Sequence, residues 1–247
     1  MSIIRLNPEC ITCLLNKYLN KAPDNVSTEV KLQYMQGVLK IIANAKNDMS
    51  APEITAEITA LQSEILGFCD DFSEVKKYYN SLMQSLESQI ENNISDADEP
   101  LKTAVLYAML GNYIDFGAMQ SVDENKLKEM LADVYSMDIN NEEFLNFKND
   151  LEKAKKLIYI TDNCGEIVLD KLLIKTILSK YPDVDAEVIV RGADVLNDAT
   201  IEDAKQIGLD NILPVTGNGN NVAGTCLSKI SEEVKEKLES ADIIISK

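Results

Sequence analysis

Lys156-Leu-Ile-Tyr-Ile-Thr-Asp-Asn-Cys-Gly-Glu-Ile-Val-Leu-Asp170 marks the point where the chain's hydrophobic period changes from helical to alternating strand and helix. Its apolar run, Leu157 to Ile160, is rich in β-formers and has the length of one buried strand. The chain turns polar at Thr161, Asp162 and Asn163. Gly165 follows, and an amphipathic helical pattern runs from Glu166 to about Lys180. The reading is strand, tight turn, helix. In open α/β sheets ligands bind beyond the carboxyl ends of the strands, which is where Asp162 and Asn163 fall. Their carboxylate and amide oxygens are hard donors of the kind Mg²⁺ or Mn²⁺ takes. The N–H groups opening the helix suit an anion such as phosphate. The same two residues read equally well as helix caps.

Downstream the strand–helix alternation continues. Short apolar runs recur at Glu187–Val190, Ile212–Val215 and Asp242–Ser246, with helical patterns at Ala199–Gly208 and about Gly224–Glu239. Alternation of this kind implies a mainly parallel sheet with right-handed crossovers. The expected class is α/β: a Rossmann-like sheet with helices on both faces, over residues 151–247. The last run ends at Ser246-Lys247, so a C-terminal continuation is expected to be missing from this chain. Upstream, residues 1–150 read as an all-helical domain. Pro8 and Glu9 precede a helix from about Cys10 to Asn20, and Ser27-Thr28 start a longer one. Pro52 opens a third, ending near Gly67. Ser73 caps a fourth, which carries Tyr79, Leu82, Leu86 and Ile90 near the helical period. Leu101–Phe116 is a strongly apolar helix, and Asp123–Tyr135 and Asn141–Ala154 follow.

Composition narrows the function. The 247 residues carry a formal charge of -17, with no histidine and five cysteines. Such acidity argues against nucleic acid or an anionic membrane surface as partner, since both need a basic footprint. A small anionic substrate stays open if a metal and a few basic residues reverse the field locally. Without histidine there is no Ser-His-Asp or Cys-His machinery and no imidazole-held zinc. Proton transfer falls to carboxylate, Lys, Tyr, Cys or water. The apolar runs are too short for a membrane span and the N-terminus has no signal-peptide pattern, so a cytoplasmic location is expected. An odd cysteine count in such a chain fits reduced thiols. Cys10-x-x-Cys13 is half of a zinc site with no second half, and reads as buried thiols or a redox-sensitive pair.

Three strand ends bring polar residues together: Asp162-Asn163-x-Gly-Glu166, then Arg191-Gly-Ala-Asp-Val-Leu-Asn-Asp198, then Lys247. If these strands are neighbours, Asp162, Asn163 and Asp198 make a three-ligand oxygen site, and Arg191 and Lys247 supply positive charge for an anion. Taken singly, Asp198 reads as a helix cap and Arg191 as a surface ion pair. The Gly- and Asn-rich Val215–Thr225 lacks the Lys-Ser/Thr of a P-loop and reads first as a turn. Asn112 and Asp115 are three apart and share a face of an otherwise apolar helix, so they lie either near the surface or in a polar cleft, and the cleft is the reading favoured. Cys164 has no base beside it and is not favoured as a nucleophile.

Asn7-Pro-Glu-Cys-x-x-Cys13, Asp71-Phe-x-x-Val-Lys-x-x-Tyr-Asn80, Gly111-Asn-Tyr-Ile-Asp-Phe-Gly117, Thr161-Asp-Asn-x-Gly-Glu166 and Arg191-Gly-x-x-Val-Leu-Asn-Asp-Ala-Thr200 together resemble the damage-control phosphatases. The resemblance runs over nearly the whole chain, and the Cys-x-x-Cys variant is similar to the small prokaryotic and archaeal branch. It implies metal-dependent hydrolysis of phosphate monoesters of small metabolites, such as sugar phosphates. It implies one divalent cation (Mn²⁺, Mg²⁺, Co²⁺ or Ni²⁺) held by Asp162, Asn163 and Asp198. Glu166, Asn112 and Asp115 match motif positions lining the same cleft. Lys247 matches the first residue of a phosphate-binding Lys-Gly-x-x-Asn loop. On this basis Asp162, Glu166 and Lys247 are the expected catalytic residues. Asn112, Asp115, Arg191 and Lys247 are the expected substrate-binding residues. Two alternatives stand beside it, an S-adenosylmethionine-dependent carboxyl methyltransferase and a non-catalytic metabolite- or metal-binding protein. The methyltransferase reading lacks the Gly-rich first loop that it would need. Oligomerisation is possible on this reading but unsupported.

Overall fold

The computed structural model describes residues 6–46, 48–114 and 123–247. The chain divides into two compact units, Met1–Asp71 with Val222–Gly224, and Phe72–Asn221 with Thr225–Lys247.

The first unit contains α1 (Pro8–Leu19), α2 (Thr28–Asn44) and α3 (Ala51–Leu66). Local chemistry sets their ends. The Asn7 side chain accepts from Glu9 N–H before Pro8 opens α1. The Glu53 carboxylate reaches back to Ser50 N–H at 2.8 Å, and Gly67 closes α3 at φ +74°. Leu14, Tyr18, Tyr34, Val38, Ile42, Ile54 and Ile58 form its core.

The second unit begins with α4 (Ser73–Ser95), α5 (Pro100–Gly111), α6 (Glu124–Ala132) and α7 (Asn141–Leu151). Then β1 (Lys156–Ile160), α8 (Glu166–Lys180), β2 (Asp185–Val190), α9 (Ile201–Gln206), β3 (Val215–Gly217), α10 (Glu232–Glu239) and β4 (Ile243–Ser246) alternate. The sheet is wholly parallel in the order β3-β2-β1-β4. Leu157 pairs with Ala186 on one side and Ile243 on the other, so β1 is central. Its side chains alternate between two cores. Leu157 and Tyr159 join the helices α4, α5 and α8, while Ile158 and Ile160 pack with Ile230 and Val234 near α10. Burial on both faces is why β1 reads as a continuous apolar run. The α/β class with helices on both faces holds.

Three details differ from the sequence reading. The compact units part at residue 71 rather than near 150, because α4 and α5 bury Tyr79, Met83, Leu106 and Leu110 in the same core as the sheet. β3 starts at Val215 because Pro214 has no N–H for a ladder, although its carbonyl accepts from Val188 at 2.9 Å. α10 starts only at Glu232, where the Ser231 hydroxyl caps Val234 N–H at 3.3 Å. The preceding stretch is broken by Gly219 and Gly224, at φ +86° and +82°.

Candidate active site

Between β3 and β4 the strand order reverses sides, since β2 and β3 lie on one flank of β1 and β4 on the other. That is a topological switch point, and the loops at the carboxyl ends of β1, β2 and β4 converge on it. Backbone bonds zip the first two loops together. Ala199 N–H donates to Asp162 O at 2.7 Å, Cys164 N–H to Asn197 O at 2.8 Å, and Arg191 N–H to Ala199 O at 2.9 Å. Asn163 and Asp198 face each other as an antiparallel bridge. Gly165 turns the chain into α8 at φ +81°, a left-handed conformation that L side chains rarely adopt. Leu196 also has positive φ, 47°, which aims Asn197 and Asp198 back toward the β1 loop and stores local strain.

The side chains form one connected polar network. Arg191 is 2% exposed and lies between two carboxylates, with Nε 2.5 Å from Asp198 Oδ2 and Nη2 3.1 Å from Asp162 Oδ1. Its Nη1 reaches Thr225 Oγ1 at 3.4 Å. Asn163 donates from Nδ2 to Asp162 Oδ2 at 3.0 Å and to Glu166 Oε2 at 3.1 Å, and its Oδ1 accepts from Asn197 Nδ2 at 2.6 Å. Glu166 is fully buried, with Oε1 2.9 Å from Lys247 Nζ. Lys247 also donates to the carbonyl of Ala108 at the end of α5. Gly111 makes that approach possible, because a Cβ there would lie 2.8 Å from Glu166 Cγ.

The structure thus brings Asp162, Asn163, Glu166, Arg191, Asp198 and Lys247 together. Asn112 is exposed on a 3₁₀ turn after α5, and its Nδ2 turns to Met109 O at 3.4 Å. The α-helix ends at Gly111, so Asn112 itself lies just outside it. Asp115 itself lies outside the described residues. Cys164 is fully buried and its thiol is pushed up, first by burial and then by Asp203, which removes it as a nucleophile. The Asn-rich loop is a braced turn. Asn218 Oδ1 accepts from Gly192 N–H at 2.8 Å and Asn220 N–H at 3.2 Å. Gly192 is needed there, since a Cβ would sit 2.4 Å from Gly219 N.

Two residues were missed by the sequence reading. Asp170, one turn after Glu166 on α8, is fully buried and accepts from Tyr159 Oη at 2.6 Å. Burial raises its carboxyl to about 8, with Glu166 adding to the shift and Lys247 opposing it. Burial likewise raises the Tyr159 phenol, with Asp170 second. The i, i+4 spacing of Glu166 and Asp170 was a visible signal.

A parallel α/β sheet with buried carboxylates, amides and two basic groups at its switch point is the kind of setting in which α/β enzymes bind small polar ligands. The family model of the damage-control phosphatase ARMT1-like domain matches residues 6–247. The chain is 31% identical over 255 residues to a damage-control phosphatase of Archaeoglobus fulgidus, covering 99% of this chain and 85% of the relative. It is 29% identical to damage-control phosphatase PH1575 of Pyrococcus horikoshii, covering 99% and 84% of the two chains. An uncharacterized protein of Methanocaldococcus jannaschii is 30% identical, covering 99% and 81%. The crystal structure of the DUF89 family protein from P. horikoshii shares the fold, with a TM-score of 0.79 at 24% identity over 98% of this chain and 84% of that one. The chain belongs to the damage-control phosphatase family, and its relatives support a phosphatase role.

Proposed function

We propose that this protein is a metal-dependent phosphatase acting on phosphate monoesters of small metabolites, with sugar phosphates and damaged phosphometabolites as the substrate class. The observation that carries the reading is the convergence of Asp162 and Asp198 on one cation, the Arg191 guanidinium, at the sheet's switch point. Two carboxylates already arranged about a positive charge suit a hard divalent cation. Among the described residues no group of three or more His, Cys, Asp or Glu side chains is arranged to hold a metal. The third oxygen therefore falls to Asn163, whose amide exchanges Oδ1 for Nδ2 by rotating about its last side-chain bond.

Asp162, Asn163 and Asp198 would hold Mn²⁺, Mg²⁺, Co²⁺ or Ni²⁺. The ion would supply Lewis-acid polarisation of the phosphate and of the attacking water. The chain's own groups provide orientation and charge. Lys247 places an ammonium beside Glu166, and that charge would offset the charge of a phosphoryl oxygen. Glu166 holds Lys247 through Oε1 and accepts from Asn163 N–H through Oε2 at 3.3 Å, a backbone bond that the amide's rotation leaves in place, and so sets their spacing. Arg191 keeps the two carboxylates from repelling each other and offsets part of their negative charge.

The test is hydrolysis of an aryl phosphate with each of the four metals and with chelator, alongside Mn²⁺ binding by calorimetry. Turnover that needs metal, and that Asp162→Ala and Asp198→Ala each reduce by about three orders of magnitude or more, is the expected result. Undiminished turnover in both folded variants would sink the site assignment. Metal-independent binding of S-adenosylmethionine, with no turnover of any phosphate ester, would favour a methyltransferase.

A further inference from the structure

The motif Asp71–Asn80 has no place in the site as described, yet it supplies two buried polar residues on one face of α4. Lys76 is 4% exposed and Asn80 fully buried, four residues apart. Asn80 Oδ1 accepts from Gly165 N–H at 2.7 Å, at the turn that follows Asp162-Asn163. Its Nδ2 donates to Asp203 Oδ1 at 3.1 Å and Gln206 Oε1 at 3.0 Å, both on α9, which follows Asp198. Lys76 Nζ lies 2.9 Å from Asp203 Oδ2 and 2.9 Å from Asp194 Oδ1, in the loop between β2 and α9. Asp203 also accepts from Thr200 N–H at 2.9 Å. One helix therefore grips both loops that carry the candidate cation ligands.

Stability alone is a poor account of such a cluster. Burying a lysine and a carboxylate costs desolvation that their attraction often only offsets, and apolar residues of similar size frequently do as well. Joining two separate loops is something an apolar replacement cannot do with the same directional control. We propose that Lys76 and Asn80 are positioning residues that set the separation of Asp162–Asn163 from Asp198, and through it the affinity for the divalent cation. The affinity part rests on the cation reading given under the proposed function.

The experiment uses the full chain with Asn80→Ala and with the double variant Lys76→Met/Asp203→Asn, which removes both buried charges together. Mn²⁺ binding is measured by calorimetry. Amide hydrogen exchange at Gly165 and at residues 194–203 is measured in metal-free protein, with melting as a control. Lost outer partners of a metal site typically weaken binding about 10- to 100-fold, and that loss is expected in both variants. Turnover of aryl phosphate at saturating Mn²⁺ is expected to stay within about threefold, because the clamp touches neither substrate nor metal. Gly165 exchange is expected to quicken about fivefold or more in Asn80→Ala, and Lys76→Arg to behave as the unmodified chain. Variants that only melt earlier, with unchanged Mn²⁺ affinity and unchanged exchange, overturn the proposal. If the unmodified chain binds no Mn²⁺, the cation reading and the affinity claim fall together. Exchange then judges the clamp alone: quickening supports the loop-spacing role and no change overturns it.

Discussion

Asp170 shows what burial does to a single residue that composition would count as surface charge. It sits one turn from a second buried carboxyl, Glu166, and Lys247 is the cation beside them. Its carboxyl titrates near 4 in the unfolded chain and is raised to about 8 in the fold. The folded protein therefore binds the extra proton between those values, and stability is greatest below the lower one. It declines as pH rises toward about 8. Asp170→Asn, which keeps the acceptor for Tyr159, should flatten that decline in urea midpoints taken from pH 5 to 8. An unchanged pH slope would assign the proton elsewhere. None of this was legible as burial, because Glu166–Lys180 has an amphipathic pattern, yet the structure covers it on nearly every side.

At the scale of elements, polar caps explain why boundaries fall where they do. Ser231 makes the clearest case, since α10 has only eight residues and begins at its hydroxyl bond to Val234 N–H. Ser231→Ala should cost about 1 kcal/mol, read as a lower urea midpoint at unchanged slope. β1 is the opposite case. Its ends are set by pairing on both sides, and Tyr159 ties it to α8 through Asp170. Tyr159→Phe removes the donor from a buried carboxyl and should cost about 1–3 kcal/mol, measured the same way. The helix and strand types were readable from the hydrophobic period. The late start of α10 was not, because Gly219 and Gly224 set its approach through backbone angles that periodicity does not report.

At the scale of the molecule, charge and partition matter most. A chain of net charge -17 repels a phosphate ester at long range, whatever the site does at short range. Raising ionic strength from about 0.05 to 0.3 M should therefore increase kcat/KM for an aryl phosphate, because the Debye length shrinks below about 10 Å. A fall with salt would mean that Lys247 and Arg191 dominate the approach. Among the described residues no helix is long and apolar enough to cross a membrane. The first unit has one core, Leu14 to Ile58, and the second has two, Tyr79 to Leu213 and Ile158 to Val234.

The α/β class, the strand–turn–helix at residues 156–170 and the family are all legible in the amino-acid order. Each rests on local pattern: period, turn residues and motifs in order. Which polar residues meet is set by long-range packing. Strand order set Lys247 beside Glu166, although they are far apart in the chain. Packing of α4 against both loops set Lys76 and Asn80 behind the site. The placement of Arg191 between Asp162 and Asp198 depended on the strained turn at Leu196. Contacts between distant segments depend on where the whole chain buries its apolar surface, and that is not a property of any local stretch.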